Sequence, residues 1–134
     1  MTTFSVPIEV GASPDGPFER VEAAVDTGAF YSWFPRPLLE RLGIGPHATR
    51  SFVLATGEEI LRDAGRAWIR ISDQREMTIV VFGDERSEPL LGAVTLEEFA
   101  LAADPVNERL VPSTRLRMLH AEIGDQKEVR PQWT

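Results

Sequence analysis

Val25-Asp26-Thr27-Gly28-Ala29 is the stretch on which the reading of this chain turns. It is entered from Ala23-Ala24-Val25, and Val21, Ala23 and Val25 fall on one face of a strand with a two-residue period. That pattern predicts a strand that delivers the Asp26 carboxylate to a tight turn. Gly28 suits the turn, because without a Cβ its backbone N–H can approach the Asp26 carboxylate. Asp-Thr-Gly alone is a common turn sequence, so its meaning depends on the rest of the chain.

Upstream, Phe4 to Val10 alternates as a strand, with Pro7 best placed near an edge or bulge, and Pro14-Asp15-Gly16-Pro17 reads as a turn. A hairpin therefore leads to Asp26. Downstream, Phe30 to Phe34 reads as a short aromatic strand stopped by Pro35. Pro37 then opens about two helical turns over Leu38, Leu39 and Leu42, and Gly43 ends them.

Ser51 to Leu54 and Ile60-Leu61 flank Ala55-Thr56-Gly57-Glu58, where Gly57 can supply the positive φ of a tight hairpin. The hairpin is expected to be mobile. Beyond it, Ala67, Ile69 and Ile71 alternate with Arg66, Trp68 and Arg70, as in a half-exposed strand, and Met77 to Phe82 is apolar enough for a central one.

Thr95 and Glu98 have capping-box spacing and Val94 and Phe99 the spacing of a hydrophobic staple, so a helix is expected with Leu96, Phe99, Ala100 and Ala103 on one face. Arg109-Leu110-Val111 and Leu116 to Leu119 are candidate short strands. The charged segment 121–134 reads as a loose tail behind a single domain over residues 1–120.

The 134 residues suffice for one domain, and 43% hydrophobic residues can build its core without cross-links. Ten Gly and ten Pro, scattered among short apolar runs, favour a β-rich fold. The absence of cysteine excludes disulfides, thiolate metal sites and cysteine nucleophiles. A net charge of -7 with one lysine, Lys127, disfavours a nucleic-acid partner. No apolar run reaches the roughly 20 residues of a membrane helix, and the expectation is a cytoplasmic protein without membrane contact.

His47 and His120 have no second ligand at metal-binding spacing, so no metal and no cofactor is expected. Ser32 and Ser51 lack the G-x-S-x-G context of a serine hydrolase. Trp33 and Trp68 are read as packing residues.

In order and spacing, Val25 to Ala29 with Ser32 and Pro35, then Leu90-Leu91-Gly92 followed by Thr95 to Phe99, then Asp104-Pro105, Asn107 and Arg109 to Pro112, form one pattern. This pattern resembles the retropepsin-like aspartic protease family, particularly its bacterial single-domain members, from about Phe4 to Leu119. The resemblance implies a mostly β fold, a closed acid-protease β-barrel with one principal C-terminal helix and a short helix near 37–42.

It also implies an endopeptidase acting on peptide or protein substrates, in which Asp26 is catalytic and two Asp26 residues, one from each subunit of a homodimer, form the dyad. Thr27, Gly28, Ala29, Leu91 and Gly92 would support the active site, with the Thr27 hydroxyl reaching across the two-fold axis. Ala55, Thr56, Gly57 and Glu58 would form the flap over the substrate. Phe4 to Val10 and Leu116 to Leu119 would interlace in the dimer sheet. Phe30 and Tyr31 stand where the viral enzymes have acidic residues, so subsite preferences do not carry over.

The chemistry is consistent with the residue type. Two close carboxylates cannot comfortably both ionise, so they share a proton and divide the roles of base and acid. One alternative is a noncatalytic dimeric module that binds extended peptides with the same fold. Another is a monomer in which Asp26 only builds a turn.

Overall fold

The computed structural model describes residues 2–113. Nine strands and two short helices follow in the order β1 (Thr2–Gly11), β2 (Phe18–Asp26), β3 (Ser32–Pro35), α1 (Arg36–Arg41), β4 (Pro46–Val53), β5 (Glu59–Ile71), β6 (Gln74–Gly83), β7 (Leu90–Leu91), α2 (Ala93–Glu98), β8 (Leu101–Asp104) and β9 (Arg109–Pro112). The expected strand at Leu116 to Leu119 and the charged tail lie outside the described residues.

Seven strands form one sheet in the order β1-β2-β7-β3-β6-β5-β4, and β1 also pairs with β5. That pairing closes six strands into a ring and leaves β4 outside it. It opposes Glu9 to Arg70, whose Nε lies 2.9 Å from Glu9 Oε1 while its guanidinium covers the Phe18 ring at 4.5 Å. Charge and cation–π contact therefore act at the seam. β8 and β9 form a separate antiparallel pair.

Alternation along the strands decides what the ring encloses. On β5, Ala67, Ile69 and Ile71 are buried and Arg66 is exposed, as the period predicts. Phe34, Phe82, Ile8, Leu39, Ile69, Leu91, Val10 and Val25 are among the largest fully buried side chains. Each contributes roughly 1.5–3 kcal/mol through burial. β6 lies between β3 and β5, as expected, although its start is wet and Met77 is 43% exposed.

The hairpin leading to Asp26 is present, with Ile8 opposite Val21 and Val6 opposite Ala23. Pro7 sits where β1 has β2 on one side and, among the described residues, no strand on the other, which is the edge position expected for it. Phe4 to Val10 is thus already a strand of this chain's own ring. α1 matches expectation, with Pro37 in its first turn and Gly43 at φ +82° just after it.

Four expectations need correction. The aromatic strand begins at Ser32, not Phe30, because the preceding backbone bends to meet α2. The helix near Thr95 spans only Ala93–Glu98, equal in length to α1, so neither helix is principal. It begins at Gly92 without a side-chain cap, so the capping box is not formed and Thr95 lies inside the helix. Ala100 adopts φ +55°, and Leu101 to Asp104 then run as a strand against β9, which removes Ala100 and Ala103 from any helical face.

Candidate active site

β7 has only two residues, and its position organises the site. Leu90 pairs with Ala24 and Leu91 with Val25 in parallel, while Leu90 also pairs with Trp33. β7 therefore lies between the strand that delivers Asp26 and the strand that leaves the turn. Leu91 is fully buried beneath them, and the Ala24 N–H donates to the Pro89 carbonyl at 2.9 Å.

Asp26 ends β2. The Gly28 N–H donates to Asp26 Oδ1 at 2.9 Å, and the Ala29 N–H donates to the Asp26 carbonyl at 3.1 Å, closing the turn. A donor aimed at the carboxyl favours its ionised form. Asp26 is partly buried, while Thr27 and Gly28 are exposed at the tip.

The start of α2 is locked to the turn's outgoing strand. The Ala93 and Val94 amides, which have no partners within the helix, donate to the Ala29 and Phe30 carbonyls at 2.8 and 3.0 Å. The Gly92 amide donates to Ser32 Oγ at 3.0 Å. These three bonds explain why the helix needs no side-chain cap. They also explain the bend at Phe30 and Tyr31.

Ser32 Oγ lies 2.6 Å from Thr95 Oγ1, which lies 2.9 Å from Thr78 Oγ1. All three side chains are fully buried, so the hydroxyls satisfy one another where water does not reach. The network joins β3, α2 and β6 under the Asp26 turn. Thr78 gave no local signal in the sequence.

The β4–β5 hairpin turns through Leu54 to Glu58. The Gly57 N–H donates to the Leu54 carbonyl and the Leu54 N–H to the Glu58 carbonyl, both at 2.8 Å, with Gly57 at φ +91°. An open groove of about 730 Å³ runs between this hairpin and the Asp26 turn. Of the residues predicted for the site, Asp26, Gly28, Ala29 and Ala55 line it. Thr27, Leu91, Gly92, Thr56, Gly57 and Glu58 do not. Leu91 and Gly92 lie below it, and Thr56 to Glu58 form the hairpin tip.

Sequence reasoning missed much of the groove wall. Tyr31 and Trp33 from one side meet Phe52 from the hairpin, with ring centroids 6.2 and 5.2 Å apart, and Phe30 packs edge-on against Tyr31 at 4.9 Å. Trp33, read as packing, lines the groove. Only the aromatic character of 30–34 hinted at this. Ser87, Glu88 and Leu90 complete the far side.

Among the described residues no group of three or more His, Asp or Glu side chains is placed to hold a metal ion, and no helix is long and apolar enough to cross a membrane. What the arrangement offers is one amide-held carboxylate facing an open, aromatic-walled groove.

A family model described as aspartyl protease matches residues 6–95. No curated protein matches the chain. The retroviral protease-like domain of Ddi1 from Leishmania major is similar at 19% identity, covering 84% of this chain and 89% of that one, with a TM-score of 0.53. The protease of simian foamy virus is similar at 18% identity, covering 70% and 94%, with a TM-score of 0.50. Lpg0085 of Legionella pneumophila, a protein of unknown function, is similar at 17% identity, covering 77% and 92%, also with a TM-score of 0.50. At such identities the likeness is one of fold.

Proposed function

This chain belongs to the aspartyl protease family and has a mostly β, retropepsin-like fold with two short helices, and from that premise we propose that it is an aspartic endopeptidase active as a homodimer. The observation that carries the reading is Asp26, held by the Gly28 amide at 2.9 Å and facing the groove. Aspartic chemistry needs a second carboxylate close enough to share a proton.

The other acid lining the groove, Glu88, lies three residues before Leu91, the partner of Val25. Glu88 precedes the residue that pairs with Ala24, whereas Asp26 follows Val25, so the parallel register offsets the two acids along the groove and they do not form a pair. A second Asp26, brought by a two-fold axis, supplies the missing group.

Across the axis, water held between the two carboxyls loses a proton to the ionised Asp26 as its oxygen attacks the scissile carbonyl. The protonated Asp26 hydrogen-bonds the carbonyl oxygen, where negative charge develops. As the tetrahedral carbon collapses, the C–N bond breaks and the departing nitrogen takes a proton from the dyad. The products are an acid and an amine, with no covalent intermediate. The substrate lies extended across the axis, and the Leu54 to Glu58 hairpins act as flaps that exclude water.

Asp26→Asn tests the reading. It preserves shape but removes both acid and base, so cleavage of a denatured protein substrate should be abolished while circular dichroism and sedimentation stay as in the parent. Cleavage at the parental rate would overturn the aspartic mechanism. An activity optimum on the acid side of neutral is expected from a shared-proton dyad.

A further inference from the structure

Resting on the protease reading, we propose that the groove selects peptides with a lysine or arginine within about two residues of the cleaved bond, and that Glu88 is the carboxylate that recognises it. The charged side chains lining the groove are Asp26 and Glu88, both acidic. Glu9, Glu19, Glu40, Asp63, Asp84 and Asp104 each face an arginine. Glu88 is exposed and forms no ion pair among the described residues.

Position gives the carboxylate its reach. Glu88 and Leu90 lie two residues apart and both line the groove, and Leu90 pairs with Trp33. A bound extended chain advances about 3.3 Å per residue, so an acid that lines the same groove as Asp26 but is offset from it along the strand direction faces residues near the bond and not the bond itself. A lysine or arginine head can close the remaining distance.

The walls accept the rest of such a side chain. Trp33 and Phe52, with centroids 5.2 Å apart, offer ring surface to the aliphatic stem and to the cation. A net charge of -7 also steers cationic peptides toward the protein. In a two-fold dimer one Glu88 flanks each side of the bond, so the preference falls on both sides.

The test uses one apolar peptide in three versions, with lysine, norleucine or glutamate beside the scissile bond. Their kcat/KM values are compared for the wild-type chain, Glu88→Gln and Glu88→Lys, and their binding is compared on Asp26→Asn by fluorescence anisotropy. The expected wild-type order is lysine, norleucine, glutamate, with lysine favoured over norleucine by roughly three- to fivefold and less at high salt. The lysine-to-norleucine ratio should fall to about one in Glu88→Gln, and Glu88→Lys should favour glutamate. A wild-type ratio of one, or a lysine preference that survives both substitutions, would overturn the proposal. Because binding to Asp26→Asn needs no reaction, a protein that prefers lysine without cleaving anything would contradict the protease reading and still support Glu88 recognition.

Discussion

A methyl group added to Gly92 would stand 2.4 Å from the Tyr31 carbonyl oxygen. It would also lie 2.5 Å from the Tyr31 carbonyl carbon and 3.0 Å from the Ala29 carbonyl oxygen. All three are backbone atoms of the segment that leaves the Asp26 turn, so no side chain can swing away to make room. The glycine is the condition for β7 and α2 to support the turn from below.

Gly92→Ala should therefore displace the turn as well as strain the fold. The expected loss is about 1–3 kcal/mol, read as a lower urea midpoint, with a larger proportional fall in peptide cleavage. An alanine variant with unchanged stability and activity would show that the close approach has no consequence.

Thr95→Val keeps the volume of a fully buried side chain but leaves Ser32 Oγ and Thr78 Oγ1 without the oxygen that stands between them. Destabilisation of about 1–3 kcal/mol is expected, with Thr95→Ser restoring much of it because the hydroxyl returns. Equal stability of the valine and serine variants would contradict the hydroxyl network.

Local chemistry made part of this site legible and nonlocal packing hid the rest. Asp26-Thr27-Gly28 and the Gly57 hairpin could be read because each turn is decided within a few residues, by an Asp acceptor or by a positive φ. Thr95 was misread because its spacing from Glu98 satisfies a capping rule, while its hydroxyl is taken by residues 17 and 63 positions away. The alanines after Phe99 continued a helical period, yet the turn at Ala100 and the pairing of Leu101 with Pro112 ended it. Phe52 meets Trp33 across the groove through the pairing of β4 with β5, β5 with β6 and β6 with β3, which no local pattern signals.

Acid should act on the Arg36–Asp63 pair, whose Nη2 and Oδ2 lie 2.7 Å apart. The hydrogen bond from Arg36 is the main cause that holds the Asp63 carboxyl below its usual range, with burial acting in the opposite sense and Thr49 adding a second donor. A depressed folded-state pKa gives stability that is present above the unfolded value of about 3.9 and lost as pH falls through the folded value. Asp63→Asn should thus be less stable than the parent at neutral pH, and the gap should close below about pH 4. Urea midpoints across pH measure it; a gap that widens on acidification would contradict the sign.

Gly57→Ala places a Cβ where φ is +91° but nothing lies within 4 Å, so the effect is backbone strain without a clash. A cost of about 1 kcal/mol is expected, confined to the hairpin. Faster hydrogen exchange of the Leu54 amide, with β6 amides unchanged, would be its signature. Unchanged exchange at Leu54 would argue that the turn does not depend on glycine.

The dependence of catalysis on two copies of Asp26 is tested by mixing wild-type and Asp26→Asn chains at fixed total concentration and allowing subunits to exchange. If each site needs an aspartate from both chains, activity follows the square of the wild-type fraction, about one quarter of the full rate in an equal mixture. Activity in direct proportion, about one half, would mean that one chain cleaves by itself and would contradict the shared dyad.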